Sequence, residues 1–178
     1  MLAVPHAAFA MGLVLLIAPS GWLLRLPVLV QLFPGLTAMV MVTAIGFLLL
    51  GLALLLPART ADGGWWVLLP AALAAVLPTL NLLQLATGAD LGINLTVLHD
   101  WIDGGNRKPG EQAFSTSISF LLAALSLLAL TGCPTRSSRL VRAGRGSAAL
   151  LFVIAFGAVA GYALRLEVLL NWYLFAKM

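Results

Sequence analysis

Five long apolar stretches, separated by short polar ones, set the pattern of this chain. Residues 1–24, 26–58, 63–89, 112–135 and 146–164 contain no Asp, Glu, Lys or Arg. A helix needs about 20 apolar residues to cross a hydrocarbon layer of roughly 30 Å, so each stretch accommodates one crossing. None alternates polar and apolar residues as a barrel strand must. The pattern predicts an all-α fold: a polytopic transmembrane helical bundle forming a single domain over residues 1–178. Its five spans fall at about 6–24, 36–56, 65–87, 114–131 and 147–165. The first stretch lacks a basic segment ahead of its apolar core and a small-residue cleavage site, so it reads as a retained helix and not a signal peptide.

Within that frame the exceptions are informative. Pro27 and Pro34 bracket "VLVQLF", which predicts a short interfacial helix or turn. The third span holds Pro70 and Pro78, each of which removes a backbone donor and favours a kink. Beyond them Asn81, Gln84 and Thr87 are spaced three apart, on one face near the span's end. Amides are costly in lipid unless partnered. They either fasten helices together or line the floor of a pocket that opens outward. Ser115, Thr116 and Ser117 open the fourth span and suit a helix cap or hydrogen bonds across the bundle. Gly157 and Gly161 form a GxxxG pair on the fifth. "TAIGFLLLGLALLLPA" from Thr43 resembles "TSISFLLAALSLLALTG" from Thr116, a weak duplication of helix pairs.

Composition strengthens the membrane reading. Hydrophobic residues make up 62% of the chain and charged ones 9%, with a mean hydropathy of +1.06. Soluble domains carry about 25% charged residues, enough to wet a surface that this chain cannot build. Charge then orients the bundle. Arg136, Arg139, Arg142 and Arg145 crowd the short segment 134–146, and basic residues in short loops mark the cytoplasmic side. Counting spans back places the loop holding Arg59 and the amino terminus in the cytoplasm, and the 88–113 loop outside. The arginine segment is too small a platform for nucleic acid. The single cysteine, Cys133, forms no intrachain disulfide.

The outer loop gathers the chain's polar chemistry. Four of its six acidic residues (Asp90, Asp100, Asp103 and Glu111) lie there with His99, Arg107 and Lys108. The loop has no second histidine and no thiolate, and its spacing fits no zinc or calcium loop, so no metal or other cofactor is expected. Nothing fixes a geometry between His99 and Ser115, so no catalytic residues are assigned and an enzyme is not expected. Asn94-Leu-Thr matches a glycosylation sequon by pattern alone. A loop this long suits ligand capture. The candidate ligand residues are Asn81, Gln84, Asp90, His99 and Asp100, with Arg25 and Arg165 on neighbouring outer ends.

These residues also carry a resemblance. Gly21-Trp22, then "FPGLTAMVMVTAIGFLLLGLALLL", "LLQLATGADLGIN" and "KPGEQAFSTSISFLLAALSLL", resemble the amino-terminal integral-membrane sensor region, of MASE type, of bacterial histidine kinases and diguanylate cyclases. The most specific pieces are "TGADLGI" from Thr87 and Pro109-Gly110 ahead of Ala113. Family members usually continue with Met-x-Pro-Asn-Thr-Ala, where this chain has "EQAFSTSIS". The resemblance implies a multi-pass sensory input module in the bacterial inner membrane, its partners the lipid bilayer and a small-molecule ligand. It also implies homodimerisation through the full-length protein, and a further helix after "FAKM" leading to a cytoplasmic kinase or cyclase. Two other functions fit the apolar pattern: a small carrier or channel component with a site between duplicated halves, and an accessory membrane subunit docking through its GxxxG face.

Overall fold

The computed structural model describes residues 17, 19–31, 38–59, 65–102, 110–130 and 137–164. Among them the structure is helical, with no strand. A helical segment ending at Leu23 leads into α1 (Pro27–Val30), followed by α2 (Met41–Arg59) and α3 (Trp65–Thr87). A single 3-10 turn (Thr96–His99) interrupts the loop before α4 (Phe114–Leu130) and α5 (Ser138–Ala163). Each of α2 to α5 packs against the next, and α2 also meets α4.

Helices Leu68–Thr87 and Ser138–Gly161 are long and apolar enough to cross a membrane, while Met41–Leu56 and Phe114–Leu130 are shorter apolar helices. Five spans of equal standing are therefore not what the described residues contain. Most of the expected 6–24 span lies outside them, as do Arg165, Asp103, Arg107, Lys108, Cys133 and Arg136.

Two element boundaries differ from those read in the sequence. Helix α2 starts at Met41, not near residue 36, because Ala38–Val40 is engaged elsewhere. The Met39 amide donates to the carbonyl of Val30 at 2.9 Å, and the Trp22 indole donates to the Met39 carbonyl at 3.1 Å. The fifth helix begins at Ser138, so most of the arginine segment is helix and not loop. The Ser137 hydroxyl accepts from the Leu140 amide at 3.3 Å, a side-chain N-cap that starts the helix early. Arg139, Arg142 and Arg145 thus lie exposed on its first turns.

Helix α3 runs through both prolines. Pro78 has no amide for the carbonyl one turn back, and beside that gap the Thr79 hydroxyl donates to Ala75 at 2.7 Å. Neighbouring hydroxyls are how helices in apolar surroundings tolerate proline. Where α2 crosses α4, Gly46 faces the Phe120 ring, and a Cβ there would fall inside it. Phe120 is buried and packs edge-on against Phe47, with centroids 4.9 Å apart. On α5, Gly144 admits the Ala129 methyl; a Cβ would meet it at 2.7 Å. Gly157, the first of the GxxxG pair, makes no such contact: a Cβ there would meet nothing within 4 Å.

Candidate functional site

The polar residues of α3 divide the work between the bundle interior and the loop. Asn81 is fully buried, and its amide donates to the carbonyl of Gln112 at 2.9 Å and the Ser117 hydroxyl at 2.8 Å. Ser117 donates to the Gln112 side-chain oxygen at 3.1 Å, and the Gln112 amide donates to Thr43 at 3.1 Å. One closed chain of hydrogen bonds therefore joins α2, α3, α4 and the end of the loop. Among the described residues no buried side-chain donor or acceptor lacks a partner. Asn81 is thus a fastening between helices, its amide already committed, and not a free pocket floor.

Gln84 fastens the other end of the loop. Its amide donates to Asn94 and its carbonyl oxygen accepts from the Leu91 amide, both at 3.1 Å. Asp90 accepts from the Gly92 amide at 2.9 Å, closing an exposed Asx turn. Asn94 in turn presses its carbonyl against Gly110, whose φ of +82° and lack of a side chain both serve the approach. Replacing Gln84 by alanine should free this segment. Hydrogen exchange at Leu91 should speed up on the order of tenfold, the equivalent of one net hydrogen bond, with α4 protection unchanged. Unaltered exchange at Leu91 would contradict the assignment.

The loop's tip docks on different ground. His99 is buried beside Trp22, ring centroids 4.7 Å apart, and Trp22 meets Trp101 edge-on at 5.4 Å. His99 Nε2 accepts from the amide of Met41 at 3.4 Å, and Nδ1 lies 3.1 Å from the Leu95 carbonyl. Met41 opens α2, so its amide has no acceptor within the helix. The acceptor role at Nε2 places the ring proton on Nδ1, donating to Leu95. With both nitrogens engaged, His99 is a brace between the loop and α2. Among the described residues no three His, Cys, Asp or Glu side chains are grouped to hold a metal.

An open groove of about 580 Å³ lies against this brace, lined by Trp22, Leu23, Arg25, Met41, Leu98, Asp100 and Trp101. Its two charges are free: among the described residues neither the Arg25 nor the Asp100 side chain has a hydrogen bond or ion pair. Arg25 has an unusual backbone. Leu26 N–H bonds the Gly21 carbonyl at 2.9 Å and Arg25 N–H that of Trp22 at 3.4 Å, the Schellman pattern that ends a helix. The residue at that C′ position turns left-handed and is usually glycine. Here it is arginine, at φ 51°, a conformation costing about 1–2 kcal/mol for a side chain with a Cβ.

Of the sequence candidates, then, Arg25, His99 and Asp100 converge on one groove or its wall, while Asn81 and Gln84 hold the scaffold. Asp90 closes an exposed turn, and Arg165 lies outside the described residues. Sequence reasoning missed Trp101 and Met41 as lining, and Thr43 and Gln112 as network members. A polar residue between Pro-Gly and a helix start was the available sign for Gln112. No family model, curated protein or solved structure matches the chain.

Proposed function

We propose that the chain is a sensory input module of the bacterial inner membrane, multi-pass, with its amino terminus in the cytoplasm. It recognises a small ligand or membrane cue at its outer face and relays it to a cytoplasmic histidine kinase or diguanylate cyclase. One observation carries the reading: the groove between Arg25 and Asp100 is built from three separate segments. These are the end of the first helical segment, the start of α2 and the loop tip. A molecule held there fixes the loop tip against α2, and so biases how the helices pack. The bias equals the ligand's differential affinity for two packings.

Two features support the membrane placement. Phe152, Val153, Phe156 and Val159 on α5 are all more than 60% exposed, a face that needs apolar surroundings. The exposed arginines occupy the amino-terminal turns of α5, where cations oppose the helix dipole. Helix stability does not call for them there, whereas topology does. They lie at the far end of the bundle from the loop, α4 spanning about 26 Å between. The interior network supports a sensor over a carrier, because among the described residues its polar groups bond one another.

The test is genetic and then biochemical. The reading frame after Met178, or the adjacent gene, should encode a kinase or cyclase. Its output in membrane vesicles should change in Asp100→Asn while protein level is unchanged. Neither domain in either place, or wild-type output from the variant, ends the reading.

A further inference from the structure

The groove's lining specifies more than a generic ligand. It presents one guanidinium and one carboxylate, both unpaired among the described residues, together with the half-buried Trp101 and the apolar Leu98 and Met41. A simple anion would be repelled by Asp100, and a simple cation by Arg25. A molecule carrying both charges satisfies both, and neither residue then meets a like charge. Arginine suits a phosphate, which it engages through two parallel N–H bonds. A carboxylate suits a primary ammonium, whose N–H groups it accepts.

The surroundings choose the source. Leu23, at 78% exposed, lines the groove, and its neighbours in the chain Leu24 and Val28 are exposed too, at 66% and 78%, an apolar surface beside the charged pair. A soluble zwitterion would leave these apolar side chains bare, whereas the acyl chains of a lipid would cover them. Trp101, half-buried at the charged end, is the residue type that favours the headgroup boundary. The left-handed Arg25 adds a further point: the strain at that position buys a helix end nothing that glycine would not supply, so the guanidinium is what the site retains.

We propose that this groove binds the headgroup of a zwitterionic phospholipid of phosphoethanolamine type, its phosphate on Arg25 and its ammonium on Asp100. The proposal rests on the sensory reading for its location at the outer headgroup layer, and it names the cue as a lipid of that class. Lipid composition at the outer face then sets how firmly the loop tip is held to α2.

The experiment uses the full chain in detergent, titrated with dioleoyl phosphatidylethanolamine, phosphatidylcholine or phosphatidylglycerol, and with free phosphoethanolamine. Thermal stability and retained lipid in native mass spectra are read. The ethanolamine lipid should bind at least about tenfold more tightly than the other two, a gap of about 1.4 kcal/mol. Arg25→Gly should lose that preference without lowering the lipid-free midpoint, since glycine relieves the strain of the left-handed position. Asp100→Asn should lose it too, on an exposed side chain that no fold contact uses. Equal binding of all three lipids, or preference surviving both variants, overturns the proposal. A shift by free phosphoethanolamine at the same headgroup concentration overturns the lipid source. The sensory reading fails separately: if the lipid binds as expected while kinase or cyclase output ignores it, the site stands and the signalling role falls.

Discussion

Replacing Asn81 by leucine should lower the thermal midpoint of the purified chain by about 5–10 °C. The amide makes two hydrogen bonds inside the bundle, and leucine makes neither. The Gln112 carbonyl loses this donor at a buried position, at a cost of about 1–3 kcal/mol. Hydrogen bonds between helices in membrane proteins measure about 0.6–2 kcal/mol each, so a total near 2–3 kcal/mol is expected. For a chain of this length each kcal/mol moves the midpoint by about 2–4 °C. Asn81→Asp should be worse: its carboxylate would face the Gln112 carbonyl with no proton to offer. Amide exchange around Gln112 and Ala113 should rise in both variants. A midpoint within about 1 °C of wild type would mean that the network is ornamental.

The second large effect should come from Gly46→Val, at about 3 kcal/mol. Its Cβ would enter the Phe120 ring, and Phe47 closes off one direction of retreat. Overpacking of this kind costs about 1–3 kcal/mol, and valine's branched Cβ takes the upper end. If these helices lie in lipid, as proposed above, little hydrophobic drive offsets the lost fit, because association there depends on close van der Waals contact. The double variant Gly46→Val, Phe120→Leu should be more stable than the two single costs predict, by about 1–2 kcal/mol. Strict additivity would show that α2 and α4 do not meet at these residues.

These two positions show how differently the sequence disclosed its contents. Asn81 was visible as a candidate because an amide in an apolar run is expensive and must serve something. Its two possible roles were indistinguishable until the donors and acceptors were located, and the partners came from residues 31 and 36 positions away. Gly46 carried no such sign, since its significance depends on where Phe120 lands. The GxxxG pair looked more promising by spacing, yet Gly157 lies in open space while Gly46 and Gly144 make the close approaches. Spacing within one helix does not say which face another helix will choose.

The loop followed the same division. Its concentration of charge was evident, and so was Arg25 as a candidate on a neighbouring outer end. That His99 would be spent on the Met41 amide, leaving Asp100 and Arg25 as the groove's unpaired charges among the described residues, could not be read from order along the chain.

By itself the sequence determined that this protein is helical, that its helices are strongly apolar, and where most of them fall. Those properties follow from local composition, because the cost of exposing apolar surface or unpaired backbone is paid residue by residue. The tertiary structure alone decided which polar groups became fastenings and which stayed open to a ligand. That choice depends on partners arriving from distant segments, to within a few tenths of an ångström and at a defined angle, and no linear pattern encodes such a distance.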